Sequence, residues 1–153
     1  MNATEPLHFR PAERTDLPAI VALLADDALG ATRESPDDLT PYEAAFTALA
    51  ADPHQHLTVA TRAGQVVGTL QLTLIPGLAR RGATRTLIEA VRISATERGT
   101  GLGTQLIEWA ITRSRELGAD LVQLTSDNTR TDAHRFYERL GFVGSHTGFK
   151  LAL

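Results

Sequence analysis

The 153-residue sequence contains no cysteine. That excludes disulfides, thiolate metal sites and an acyl intermediate carried on a protein thiol, so any acyl transfer is direct or uses another nucleophile. No apolar run approaches the roughly 20 residues that span a bilayer, and the opening MNATEPLHFR has no apolar stretch of the kind a signal peptide needs. A cytoplasmic protein without membrane association is expected. A formal charge of -3, with no Lys/Arg cluster on any predicted helix, argues against nucleic acid as a partner, because phosphate neutralisation dominates that affinity. Repeats and low-complexity segments are also missing. What remains is an ordinary globular composition, 42% hydrophobic and 22% charged, at a length suited to one domain. We expect that domain over 7–153, after a short extension at 1–6.

Hydrophobic periodicity gives the order of elements. Leu7 to Arg10 reads as a strand. Thr15 then offers an N-cap for a helix with apolar residues at Leu17, Ile20, Val21, Leu24 and Ala28. The acidic stretch from Asp26 to Asp38 reads as a solvated loop. Thr40-Pro41-Tyr42-Glu43 has a capping-box pattern, which predicts a helix burying Tyr42, Ala45, Phe46 and Leu49. Leu57 to Thr61 and Val66 to Leu74 form a predicted hairpin about Gly64, and Thr86 to Ile93 a further strand. A glycine loop then leads into a helix with Leu102, Leu106, Trp109, Ala110, Arg113 and Leu117 along one side, capped by Gly118. Leu121 to Thr125 is the next strand, and a last helix carries Ala133, Phe136, Tyr137 and Leu140 up to Gly141. Phe142 to Leu153 reads as terminal strands, and Phe149 to Leu153 as one that could pair across a homodimer. Hairpins followed by strand-helix-strand units predict an α/β fold with a mixed antiparallel and parallel central sheet flanked by helices.

The chemistry concentrates at Arg98-Gly99-Thr100-Gly101-Leu102-Gly103-Thr104. Three glycines within five positions exceed what a tight turn needs. They let backbone N–H groups approach a phosphate at the positive end of a helix dipole, with Arg98 as an added cation. A dinucleotide fold fits poorly, because the third glycine of its fingerprint would fall at Thr104 and few residues remain after Asp127 to complete a sheet. His54 and His56 lie just before a strand without a third ligand nearby, and His134 and His146 read as structural, so no metal site is expected.

Leu87 to Ile93 followed by Arg98 to Gly103 resembles the acetyl-coenzyme A motif of the GCN5-related N-acetyltransferases (GNAT). Ala133, Phe136, Tyr137, Glu138, Leu140, Gly141 and Phe142 are similar to that family's second hallmark. The resemblance implies the acyl-CoA N-acyltransferase fold, with acetyl-CoA as cosubstrate and an amine acceptor that is a small molecule or a peptide. It also implies that the segment Val91, Arg92 and Ile93 holds the acetyl-pantetheine arm, while Arg98, Gly99, Thr100, Gly101, Leu102, Gly103 and Thr104 cradle the pyrophosphate. Where many members have a cofactor-contacting Asn seven positions before the final Tyr, this chain has Arg130, and the nearby Asn128 is a substitute. His134-Arg135-Phe136-Tyr137, Ser145-His146 and Phe149-Lys150 resemble aminoalkylphosphonate acetyltransferases within the family. By the family's pattern Tyr137 is the acid that protonates the leaving thiolate. Glu89, placed by alternation on the face of Leu87, Val91 and Ile93, is the expected general base, its pKa raised by desolvation. A non-catalytic acyl-CoA sensor of the same fold is the alternative.

Overall fold

The computed structural model describes residues 5–153, so most of the expected extension at 1–6 lies outside the described residues. The described chain divides into two compact units, one running to Gln123 and the other from Leu124 to Leu153.

The first unit is built on a sheet in which sequence order is spatial order: β1 (Leu7–Pro11), β2 (Gln55–Arg62), β3 (Gln65–Ile75), β4 (Arg85–Ile93) and β5 (Leu121–Leu124). The first three pairings are antiparallel, and β5 runs parallel to β4. The β2–β3 hairpin turns through Ala63 and Gly64, both at positive φ (50° and 76°), as a two-residue turn matched to strand twist requires. Between β1 and β2 come α1 (Leu17–Ala25), a single turn α2 (Gly30–Arg33) and α3 (Thr40–Ala51). A left-handed turn, α4 (Ala79–Gly82), precedes β4, and α5 (Leu102–Glu116) crosses from β4 to β5.

The helices lie on opposite faces of the sheet. Thr86 and Gly68 face α5, through the 2.7 Å Thr86–Ser114 hydroxyl contact and the closeness of Leu102 to Gly68. Gln71, of opposite parity on β3, faces Leu17, Leu24, Tyr42 and Phe46 of α1 and α3. The core is Val59, Val67, Leu70 and Leu72 of the sheet with Ile20 and Val21 of α1 and Leu102, Leu106 and Ile107 of α5, all at most 4% exposed. Each such side chain contributes about 1.5–3 kcal/mol by leaving water.

Several local expectations are corrected. Thr15 lies inside a 3₁₀ turn (Arg14–Asp16); Asp16 opens α1, and its carboxylate accepts from Arg10 at 2.7 and 2.9 Å and from the Glu13 N–H at 2.7 Å. α1 stops at Ala25, short of Ala28. Leu39, not Thr40, precedes α3, whose Tyr42, Phe46 and Leu49 are only half-buried and whose Ala45 is exposed. A cavity of about 150 Å³ beneath this helix explains the incomplete burial.

The second unit holds α6 (Thr131–Arg139), which ends at Gly141 with φ 95°. The expected terminal strands are not formed: 142–153 has no regular structure, and Phe149, Leu151 and Leu153 are almost fully exposed. The strand proposed to pair across a dimer is therefore not preformed. An apolar alternation without a partner edge leaves its backbone groups to water.

Candidate functional site

The glycine loop takes its shape from a short relay of backbone hydrogen bonds. Ser94 N–H donates to Val67 at 2.8 Å, fixing the end of β4 to β3, and Glu97 N–H donates to Ser94 at 2.9 Å, closing the 3₁₀ turn Ala95–Glu97. Gly99 and Gly101 then adopt φ values of 77° and 83°, a left-handed conformation that costs other residues about 1 kcal/mol or more. A Cβ at either position would meet nothing within 4 Å. Backbone conformation therefore demands these glycines, and the space above them is open.

Gly101 is the N-cap of α5, and no side chain caps it. The first turn of this 15-residue helix thus presents the N–H groups of Leu102, Gly103 and Thr104 at the positive end of the dipole. Buried Leu102 anchors the turn and Arg98 is exposed beside it. Thr100 is bonded within the loop itself. Its N–H donates to the Glu97 carbonyl at 3.2 Å, and its hydroxyl is shared between that carbonyl oxygen at 2.6 Å and Glu97 Oε2 at 3.0 Å.

Glu97 and Arg62, which hold this loop, are residues that sequence reasoning missed. Glu97 is 4% exposed and accepts from Arg62 Nε at 3.0 Å and Nη2 at 3.2 Å. The Arg62 guanidinium holds its carboxyl below the usual range, against the opposing effect of burial. A glutamate before Arg-Gly reads locally as surface charge, and an arginine closing an apolar strand is the only signal of the partner.

On β4, Glu89 pairs with Gln71 and Arg92 with Thr69, so three steps on β4 match two on β3. The extra residue makes a bulge at Ala90, whose φ is 53°. The bulge reverses the side-chain alternation. Arg92 comes onto the face of Glu89, and Ile93, opposite Gly68, comes onto the α5 face with Ile88. The expected shared face of Glu89 with Ile93 is thus corrected. So is its desolvation: Glu89 is exposed.

The Arg92 side chain is turned to the loop after α1, with Nε 3.2 Å from Asp27 Oδ2 and Nη1 donating to the Val91 carbonyl at 2.9 Å. Asp27 Oδ1 accepts from Gly30 N–H, and the Tyr42 hydroxyl donates to Glu34, so the acidic stretch expected to be a solvated loop is tied down at both ends. The cavity beneath α3 is lined by Leu24, Tyr42, Leu57 and Gln71, the last being the register partner of Glu89. A larger groove of about 490 Å³ runs by His56, Trp109 and Arg113, and no predicted site residue lines it.

β4 and β5 start together, with Asp120 N–H donating to Thr84 at 2.8 Å. From there the four residues of β5 reach only the level of Ile88, so the edge of β4 from Glu89 to Ile93 runs past the end of its neighbour. Val91 and Ile93 lie in that stretch, both half-buried.

In the second unit, Tyr137 is half-buried, with its ring edge-on to Phe136 at 5.1 Å and to Phe142 at 5.8 Å. Asn128 is exposed in a turn that Asp127 organises by accepting from the N–H and hydroxyl of Thr129 at 2.8 and 2.6 Å. His134 Nε2 lies 2.8 Å from the Asp127 carbonyl, consistent with a structural role. Among the described residues, no group of three or more His, Asp or Glu is placed to hold a metal ion, and no helix is long and apolar enough to cross a membrane.

A bulged strand thus runs past its neighbour and leads into an uncapped glycine turn at the start of a helix. The model of the acetyltransferase (GNAT) family matches residues 17–142. The chain is 36% identical over 116 residues to an aminoalkylphosphonate N-acetyltransferase of Salmonella typhimurium, covering 76% of this chain and 75% of that protein. It is 32% identical over 139 residues to an L-methionine sulfoximine/L-methionine sulfone acetyltransferase of Pseudomonas paraeruginosa, covering 88% and 78%. A solved structure described as a transcriptional regulator from Bacillus halodurans C-125 superposes with a TM-score of 0.93 at 43% identity, covering 97% of this chain and all of that one. The chain belongs to the GNAT family and is an acetyltransferase, of a family that uses acetyl-CoA as cosubstrate.

Proposed function

We propose that this enzyme moves the acetyl group of acetyl-CoA directly to the primary amine of a small molecule. The observation that carries the reading is the open, uncapped turn Gly99–Gly101 at the start of α5, immediately after the bulged edge of β4. Donors of this kind suit a pyrophosphate, which Leu102, Gly103 and Thr104 would receive through backbone N–H groups, with Arg98 neutralising charge. The backbone of Val91 to Ile93 would hold the pantetheine arm, and Asn128 would contact the same cosubstrate. The Arg92 side chain, committed to Asp27, would instead shape the acceptor side.

When bound, acetyl-CoA supplies an activated acetyl group on a thiol leaving group. Glu89 accepts, directly or through water, the proton that an ammonium must lose before its nitrogen can attack, and its exposure keeps it in contact with solvent. The Val91 N–H polarises the carbonyl under attack. Tyr137 gives its proton to the departing sulfur as the carbon–sulfur bond breaks. With no cysteine in the chain, transfer from donor to amine in one complex needs no protein thiol.

Two curated relatives are named for small amines that carry a phosphonate or a sulfur-centred polar group. The test is release of free thiol from acetyl-CoA with aminoalkylphosphonates, methionine sulfoximine, polyamines, aminoglycosides and peptide N-termini. Turnover confined to small amines is expected. Cosubstrate binding without turnover on any of them would favour an acyl-CoA sensor.

A further inference from the structure

We infer that Glu97 is the positioning residue of the cosubstrate cradle, latching Thr100 between the two left-handed glycines, and that Arg62 roots this latch in the sheet. The inference rests on the reading of the glycine turn as the pyrophosphate site.

Gly99 and Gly101 flank Thr100, and glycine loses more conformational freedom on ordering than any other residue, so a turn between two of them wanders unless something holds its centre. Glu97 holds it twice. Its carbonyl takes the Thr100 N–H at 3.2 Å, and that carbonyl and Oε2 share the Thr100 hydroxyl at 2.6 and 3.0 Å. The carboxylate is itself held by the two-pronged contact from Arg62, at 3.0 and 3.2 Å, with both residues no more than 5% exposed. Arg62 closes β2, opposite Leu7 of β1 in register, and its Nη1 donates to the Glu5 carbonyl. The turn is thereby tied to residues 35 positions away along the chain.

Two consequences follow. The turn is ordered before any ligand arrives, so binding loses less conformational entropy. The Arg62 charge also neutralises a carboxylate that would otherwise repel phosphate oxygens from behind the loop. Glu97 itself would touch neither donor nor acceptor. It acts through Thr100.

The experiment compares Glu97→Gln, Thr100→Val and the double variant by KM for acetyl-CoA, kcat and calorimetric Kd. Each single variant should raise KM and Kd roughly tenfold with kcat within about twofold, and the double should fall short of the sum of the two, because both act on the 3.0 Å contact between the Thr100 hydroxyl and Glu97 Oε2. Unchanged KM in both singles overturns the inference. So does additivity, which would mean that Thr100 meets the cosubstrate by itself. A second arm is Arg62→Met/Glu97→Leu, an apolar replacement that should restore thermal stability relative to Glu97→Leu while KM stays raised. Recovery of KM together with Tm would show the pair to be merely structural. Gly101→Asp separates the two levels: if acetyl-CoA still binds that variant as tightly as wild type, the cradle reading itself fails. If Gly101→Asp abolishes binding while Glu97→Gln and Thr100→Val do not weaken it, only the latch is wrong.

Discussion

Glu89 and Glu97 stand eight positions apart, one on the last part of β4 and one just past its end, and their surroundings are opposite. Glu89 is exposed on a strand edge beyond the reach of β5. Glu97 is 4% exposed, clasped by Arg62 and bonded to the loop that follows it. The difference teaches what each position requires. In the role proposed for Glu89, a base exchanges protons with an incoming amine and with water, so exposure would serve it. A latch must hold one geometry, and burial with a paired charge provides that at the risk of a large loss if the pair is broken. Sequence reasoning gave Glu89 the burial and overlooked Glu97.

The comparison is broken most directly at Glu97. Replacing it by Leu removes the buried carboxylate paired with Arg62 and should destabilise the fold by about 3 kcal/mol in urea unfolding, whereas Glu89→Gln should stay within about 0.5 kcal/mol. The pH dependence has a definite sign. The folded-state pKa of Glu97 lies below the ordinary 4.5, chiefly through Arg62, so its contribution is complete above that value and is lost as pH falls through the folded value. The stability gap between wild type and Glu97→Leu should therefore narrow only below about pH 4.5. A gap constant down to pH 2 would mean that folding does not lower the Glu97 pKa.

Glu89→Gln sharpens the contrast from the other side. Turnover at neutral pH should fall by roughly 10²–10³-fold, with cosubstrate affinity unchanged. Activity should partly recover as rising pH deprotonates more of the acceptor amine. A variant whose pH–rate profile matches wild type would remove Glu89 from the mechanism and leave water as the base.

Tyr137→Phe tests whether the second unit contributes chemistry or only packing. The ring keeps its edge contacts with Phe136 and Phe142, so stability should change by less than about 1.5 kcal/mol. The rate constant kcat should fall by roughly 10²-fold, and the defect should shrink with an acyl donor whose thiol is more acidic. Full kcat in this variant would reduce Tyr137 to an aromatic of the α6 packing.

Much of this was legible in the amino-acid order because its causes are local. Strand and helix periodicity in β1 to β5, α3, α5 and α6, and the hairpin glycine at Gly64, depend on residues within a turn or two of each other. So does the run of glycines before Leu102, whose positive φ values no other residue type adopts as cheaply. The family, too, was readable from two short motifs in order. Only the tertiary structure decided the rest. The bulge at Ala90 exists because β4 meets β3 with one residue to spare, and that single residue reverses which side chains accompany Glu89. The Asp27–Arg92 and Arg62–Glu97 pairs join positions 65 and 35 apart, and no local pattern marks either. The tail shows the same dependence in reverse. Its apolar alternation satisfies the rule for a strand, but a strand requires an edge to bond to, and along 142–153 none is paired.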